Sequence, residues 1–309
     1  MKIITEIPSD IFQNSAVTVG FFDGVHKGHV ALLSRLKREA TLRHLQSVVV
    51  TFRAHPRETL QTSYIPQLLN TQAERLCLLE KQAVDICAML PFTKKFAQLT
   101  STEFIKEILF EALHTKYLLV GYDHHFGSDA QKNSFETYKS YGNTLGIEVE
   151  EEGAYWENNV CISSSLIRRE ILQGNITAVS DYLGYNYFLK GTVVKGFQIG
   201  RTIGFPTANL KISDTHLLIP MDGVYAVFVE IKGKKYKGMA NIGSRPTFNE
   251  SNEKTIEVHI LDFDQNIYEQ QIKVYFIAFL RKEVKFVSKE ALSIQLSSDQ
   301  EKVRKILDN

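Results

Sequence analysis

The sequence predicts an α/β domain built on a parallel sheet, followed by a small antiparallel β-barrel with a helix at its C-terminus. Three observations predict it. Up to about residue 185, strand-length apolar runs alternate with stretches of helical spacing, the texture of βαβ units. From Phe188 onward apolar and polar residues alternate and glycines punctuate, the texture of half-buried antiparallel strands. The length of 309 residues, at roughly 150 per domain, suffices for two. The texture changes near Gly184, so the expected domains are 1–185 and 186–309.

In the first domain, 16–22 is an apolar run ending in Asp23-Gly24. Residues 29–44 follow with Leu33, Leu36 and Ala40 on one helical face, and 47–52 is a β-branched run that reads as a buried strand. Residues 71–82 are helical with Ala73, Leu76 and Leu79 in phase. Then 84–90 reads as a strand, 101–113 as a helix and 117–120 as a strand. Thr71 and Ser101 are expected N-caps, with Glu74 completing a capping box behind Thr71. In the second domain, strands are expected from Gly191, over 223–231, over 255–261 and over 272–277. Gly233-Lys234-Lys235 makes a hairpin turn. Residues 288–307 form the closing helix, with Ser288 as its N-cap.

Composition excludes several classes. Hydrophobic residues are 44% and charged residues 23%, which is neither disordered nor fibrous. Lys+Arg is 36 against Asp+Glu 35, a net charge of +1, so no nucleic-acid partner is expected. The lysine-rich stretch 232–237 reads as a solvated hairpin. Cys77, Cys87 and Cys161 are widely spaced, which argues against a disulfide scaffold or a Cys-based zinc site and fits a reducing cytoplasm. There is no signal pattern, and no apolar run approaches the roughly 20 residues that span a bilayer. A soluble cytoplasmic protein is expected, with no membrane partner and no obligatory protein partner.

The densest motif of the first half is Gly20-Phe21-Phe22-Asp23-Gly24-Val25-His26-Lys27-Gly28-His29. It lies where a strand turns into a helix. Glycines at 20, 24 and 28 let backbone approach a ligand, and the helix N-terminus offers free N–H groups and a positive dipole end to an anion. His26 and His29, three residues apart, reach the same place and can donate hydrogen bonds to phosphoryl oxygens. The alternatives are a metal pair or two surface histidines. Ser163-Ser164-Ser165 opens a later helix as a second anion site, with Arg168 one turn in to clamp phosphate; otherwise it is a capping serine beside a surface arginine. Asp123 reads as a ribose or metal ligand, or as a turn residue.

The second half carries Gly196-Phe-Gln-Ile-Gly200-Arg201-Thr-Ile-Gly204-Phe205-Pro206-Thr207-Ala208-Asn209. It lacks the ending of a Walker A loop, but glycines around an arginine can wrap phosphates through backbone N–H groups. Thr207 and Asn209 put oxygens on one side of an extended chain, which suits Mg²⁺ shared with nucleotide phosphates. A β-turn with a Thr–Asn hydrogen bond would give the same pattern. Glu257 and His259 alternate with Ile256, Val258 and Ile260, and so share the face opposite those core residues. Arg281 reads as a nucleotide or flavin contact, or as a surface salt bridge.

The first motif resembles the HxGH nucleotidyltransferase superfamily, and within it the adenylyltransferase module of bacterial FAD synthetases. Thr51-Phe52-Arg53-Ala54-His55-Pro56, Gly121-Tyr122-Asp123-His124-His125-Phe126-Gly127 and Ile162-Ser163-Ser164-Ser165-Leu166-Ile167-Arg168 are similar to further segments of that family, in order. The second motif resembles the GRxxGFPTAN signature of riboflavin kinases. Segments at 223–226, 240–247, 256–263 and 279–286 also match. The chain departs from these patterns at Ala54 for proline, His124 for an aromatic, Ser165 for threonine and Lys195 for histidine.

The resemblance implies a Rossmann-like nucleotidyltransferase domain of HxGH type and a riboflavin-kinase barrel, with riboflavin, FMN and ATP as substrates, FAD as product and Mg²⁺ in both steps. It implies His26 and His29 as catalytic, with Gly20, Phe21, Asp23, Gly24, Gly28, Asp123, Ser163, Ser164, Ser165 and Arg168 around ATP, and His55 and Pro56 along the flavin. In the barrel it implies Glu257 as general base, Gly196, Gly200, Arg201, Gly204, Pro206 and Arg281 around nucleotide, and Thr207 and Asn209 on the metal. Two rival readings are a different HxGH adenylyl- or cytidylyltransferase, which leaves the barrel without a role, and a non-catalytic flavin- or nucleotide-binding protein on the same scaffold.

Overall fold

A computed structural model describes residues 1–6, 14–60, 67–122, 126–129, 133–196, 199–245 and 253–308. The chain divides into two units, Met1–Ser164 and Ser165–Asn309.

The first unit runs β1 (Lys2–Ile4), β2 (Ser15–Val19), α1 (Lys27–Leu42), β3 (Gln46–Phe52), α2 (Pro56–Thr59), α3 (Gln72–Glu80), β4 (Ile86–Leu90), α4 (Lys94–Gln98), α5 (Ser101–Glu103), β5 (Thr115–Gly121), α6 (Phe135–Thr144), β6 (Glu148–Glu152) and a hairpin of β7 (Trp156–Glu157) and β8 (Val160–Cys161). Six strands form one sheet in the order β1-β4-β3-β2-β5-β6, and every pairing in it is parallel. β2 and β4 are buried along their whole length, which is why they carry only apolar or small hydroxyl residues and lack strict polar–apolar alternation. The strand order reverses between β2 and β5. In open α/β sheets the crevice outside the strand ends at such a switch point is where ligands bind, and Gly20 leaves β2 there.

Three local expectations change. α1 begins at Lys27, earlier than its apolar pattern, because His26 caps it. α3 has the Thr71–Glu74 capping box, but of the three phased residues only Leu79 is buried. Arg75 and Leu78 face inward instead, because the Arg75 guanidinium finds a backbone carbonyl and an aromatic face inside. The cap of α5 is Thr100, boxed with Glu103, not Ser101. The helix then widens into a π-helix over Phe104–Ala112, where Leu113 N–H reaches back to the Ile108 carbonyl.

The second unit takes α7 (Ser164–Leu172) from its second residue, then α8 (Ile176–Leu183), β9 (Phe188–Val194), β10 (Ala208–Lys211), β11 (Gly223–Ile231), β12 (Lys234–Arg245), β13 (Glu253–Ile260), β14 (Gln271–Arg281) and α9 (Lys289–Asp308). The six strands close into a barrel, β10-β13-β12-β11-β14-β9, antiparallel throughout. α7 and α8 belong with the barrel, so the division by packing falls well before the change of texture at residue 185. Their helical spacing looks like the first half. Yet Met221 N–H donates to the Ile171 carbonyl, and Gly174 packs so closely on Met221 and Phe279 that a Cβ would stand 2.8 Å from the methionine methyl.

α9 is capped by Ser288, whose Oγ accepts from Ala291 N–H at 3.2 Å. Its apolar face places Val303 and Leu307 against Phe205, Ala226, Met239 and Leu261. Asp299 of α9 is fully buried and receives Arg281 Nε at 2.9 Å and Nη2 at 2.7 Å. Removing one partner of a buried pair strands the other charge. Asp299→Ala is therefore expected to cost about 3 kcal/mol of stability, read as a lowered denaturation midpoint. A midpoint unchanged from wild type would mean that α9 does not depend on this pair.

Candidate active sites

β2 ends at Val19, and Gly20 N–H donates to the Val50 carbonyl. The chain then turns sharply, with Phe22, Gly24 and Val25 all at positive φ. Such a backbone is unfavourable for a phenylalanine and a valine. It persists because both side chains are buried and anchor the turn. The turn delivers His26 to the N-cap of α1. Its Nδ1 accepts the backbone N–H of His29 at 3.3 Å, so in the neutral ring the proton sits on Nε2 and makes that atom a donor.

The His26 and His29 rings stack at 3.7 Å, and Phe22 meets the His29 ring edge-on at 5.2 Å. Gly28 makes room for this stack: a Cβ there would stand 3.2 Å from the His26 ring. Among the described residues no group of three or more His, Cys, Asp or Glu could hold a metal ion. Stacked rings, with one Nδ1 committed to backbone, fit a hydrogen-bond donor site better than a metal pair.

The buried Asp23 carboxylate accepts Leu69 N–H at 3.0 Å, and its carbonyl accepts Ser164 Oγ at 2.9 Å. Asp23 thus ties the turn to two other segments. Ser163 and Ser164 lie in this unit. Ser165, exposed, and Arg168, half-buried, follow on α7. His55 caps α2, with Pro56 as its first residue, and its ring meets Phe21 at 4.7 Å. Asp123 and His124 lie outside the described residues.

Arg75 was not singled out from the sequence. Its guanidinium lies 3.9 Å over the Phe21 ring and donates to the Phe52 carbonyl at 2.5 Å. Burial pushes its pKa down to about 10, and the Asp23 carboxylate opposes that shift. The helical phase read from the sequence, Ala73, Leu76 and Leu79, leaves position 75 out, so no sequence signal marked it.

In the barrel, Asn209 pairs with Glu257 and Glu257 with Asn241, so the three stand in one row across β10, β13 and β12. Directly paired residues share a face, and two of this row, Glu257 and Asn241, line a cavity of about 310 Å³ together with Phe205, Arg281 and Glu283. Thr207 Oγ1 donates to Glu257 Oε2 at 3.3 Å. Thr207 also borders a second cavity of about 350 Å³, with Arg201, Pro206, Val258 and Tyr268. Thr207 is common to both cavities and is hydrogen-bonded to Glu257 in the first.

Gly200 permits the loop to close, since a Cβ would collide with the Phe205 carbonyl at 2.2 Å. Gly196 lies against the Asn209 side chain, and Gly204 takes φ +83. Arg281 is engaged by Asp299 while lining the first cavity. Asn241 Nδ2 donates to Glu283 Oε1 at 2.8 Å; neither residue was singled out from the sequence, because only the register joins them. His259 does share the Glu257 side of β13, but that side is covered and His259 is buried.

A family model described as FAD synthetase matches residues 9–166, and one described as riboflavin kinase matches residues 183–307. The chain is 37% identical to a bifunctional riboflavin kinase/FMN adenylyltransferase of Haemophilus influenzae, over 94% of each chain. It is 36% identical to one of Listeria monocytogenes, over 98% of this chain and 95% of that one. A solved structure described as a macrolide-efflux protein from Streptococcus pneumoniae is 36% identical, with a TM-score of 0.88, covering 98% of this chain and 99% of that one. Among the described residues here, no helix is long and apolar enough to cross a membrane.

His259 Nδ1 lies 2.8 Å from the Pro206 carbonyl, which only accepts, so Nδ1 carries the proton of a neutral ring. Burial holds the pKa below the ordinary 6.5. The native state then takes a proton less readily than the unfolded chain. The stability this provides is intact above the ordinary value and is lost as pH falls through it toward the lowered one. Stability measured by denaturation should decline below about pH 6.5, and His259→Gln should flatten that slope. An equal slope in both proteins would remove His259 as its source.

Proposed function

The chain belongs to the family of bifunctional riboflavin kinases/FMN adenylyltransferases, and from that membership we propose how its residues share the two reactions. It is a transferase that phosphorylates riboflavin to FMN and adenylylates FMN to FAD. The FAD synthetase match lies at the N-terminal end and the riboflavin kinase match at the C-terminal end. The functional division is put at 185/186, in line with a kinase match that begins at residue 183.

In the kinase step, riboflavin occupies the cavity with Glu257 and ATP the cavity with Arg201. The observation that carries this assignment is Thr207, shared by both cavities and hydrogen-bonded to Glu257. Glu257 takes the proton of the riboflavin 5′-hydroxyl as its oxygen attacks the γ-phosphorus, and the bond to the β–γ bridging oxygen breaks to release ADP. Arg281, held by Asp299, helps shape the flavin cavity. The Thr207 hydroxyl and the Asn209 amide, hard oxygen donors beside a carboxylate, fit Mg²⁺ held jointly with phosphates. When bound, the ion offsets phosphate charge.

In the adenylyl step, an FMN phosphate oxygen attacks the α-phosphorus of ATP and pyrophosphate leaves. His26 Nε2–H and the His29 ring donate to the oxygens that gain charge, and the start of α1 adds its dipole. Ser163 and Ser164 hold the remaining phosphates. Asp123 binds the ribose or a metal ion. His55 and Pro56 with Phe21 wall the flavin side. Use of ATP fits a cytoplasmic location.

The two sites should fail separately. Glu257→Gln keeps the shape and a carbonyl oxygen but loses the base. Kinase turnover should fall by about 10²–10⁴, while FMN supplied directly is still converted to FAD. Chromatography of the products reads both, and near-normal kinase turnover would send the base elsewhere. His29→Ala should lower FAD formation by about 10²–10³ and let FMN accumulate from riboflavin and ATP. Parallel loss of both activities in a folded variant contradicts separate sites.

A further inference from the structure

Lys27 is the first residue of α1, and the first turn of that helix contains no acidic residue. An ammonium there faces the positive end of the helix dipole, an adverse position unless an anion stands in front of it. That anion is Glu157. Lys27 Nζ lies 2.7 Å from its Oε1 and 2.8 Å from its Oε2. Glu157 comes from β7, on the short hairpin that precedes the serine run. Ile162 N–H donates to the Tyr155 carbonyl, and Tyr155 Cβ stands 3.4 Å from where a Gly28 Cβ would be. The hairpin therefore lies against the same first turn that carries His26.

Both members of the pair are about one-third exposed, 32% each, so solvent reaches them. Pairs of that exposure are weak and readily exchanged. An ATP triphosphate carries more charge than a carboxylate and arrives at the same helix end. Three features therefore coincide: a cation set against a dipole, a carboxylate gripping it with both oxygens, and the His26–His29 turn one residue away.

We propose that Lys27 is a further phosphate-binding residue of the adenylyl site and that Glu157 is its placeholder, exchanged for the ATP phosphates when nucleotide binds. The proposal rests on the assignment of the His26–His29 turn to adenylyl transfer. It makes the two charges oppose each other: Lys27 favours ATP, and Glu157 competes with ATP for Lys27. A pair that only tethers the hairpin would instead behave alike on both sides, since removing either partner releases the same tether.

The test is steady-state conversion of FMN to FAD by the full chain, with ATP varied, for wild type, Lys27→Gln, Glu157→Gln and the double variant. Lys27→Gln should raise KM for ATP about tenfold, the scale of one charge-assisted hydrogen bond. Glu157→Gln should lower it, and should have no effect in the Lys27→Gln background. Lys27→Arg, which keeps the cation, should stay near wild type. An unchanged kcat for FAD formation at saturating ATP and an unchanged circular dichroism spectrum check that the first unit of each variant is folded. A rise in KM for both single variants, or no change in either, overturns the exchange. Wild-type KM in His29→Ala, with normal FAD formation, would instead overturn the site assignment on which it rests.

Discussion

In the barrel, Asn209, Glu257 and Asn241 stand directly opposite one another across β10, β13 and β12. The kinase assignment needs that row. Side chains alternate between faces along a strand, so slipping β13 by one residue would turn Glu257 inward and place Ile256 or Val258 in the cavity. Ile256 and Val258 are themselves buried, and their burial is what fixes the register. The position of the proposed base, Glu257, therefore depends on its apolar neighbours. The parallel sheet imposes a similar constraint on the other site. β2 is held between β3 and β5, so the chain must leave β2 at the reversal of strand order, and the glycine-rich turn lies there.

Much of this was legible in the sequence, because each of the relevant signals is local. The helical phase of Leu33, Leu36 and Ala40, the Thr71–Glu74 box, the Ser288 cap and the alternation around Glu257 need only neighbouring residues to be recognised. The glycine-rich turns are dense local signals of the same kind. What was not legible depends on packing between segments. Arg75 sits in the inward phase of α3, where the pattern gives no reason for a cation; the Phe21 face comes from the turn after β2 and the Phe52 carbonyl from β3. Asn241 joins Glu257 only through register. The Thr100 cap and the π-helical turn follow from backbone hydrogen bonds that spacing does not specify. α7 and α8 have the periodicity of the first half and the packing of the second.

Both proposed sites would meet phosphate without a strongly basic chain behind them. The chain carries a net charge of only +1, and in the first unit the proposed phosphate site combines the His26 and His29 rings, the start of α1 and Lys27, which is paired with Glu157. Donors fixed by neighbours need little rearrangement when charge develops on the reacting oxygens. His26 is fixed by the His29 N–H and by the stack of rings, and Phe22 closes one side of His29. The buried arginine nearby is occupied in holding Phe21, so its charge supports the turn from beneath.

The difference between the sites follows from the nucleophile each must use. The riboflavin 5′-hydroxyl is a poor nucleophile while it keeps its proton, so the kinase site needs a base within reach. Glu257 borders the cavity and its oxygen is already in contact with Thr207. The FMN phosphate is anionic before it reacts and needs no base. The carboxylate closest in sequence to the two histidines is Asp23, which is buried and accepts Leu69 N–H. A side chain so engaged is part of the scaffold, and the adenylyl site can use it that way because its chemistry asks only for positioned donors and a departing pyrophosphate.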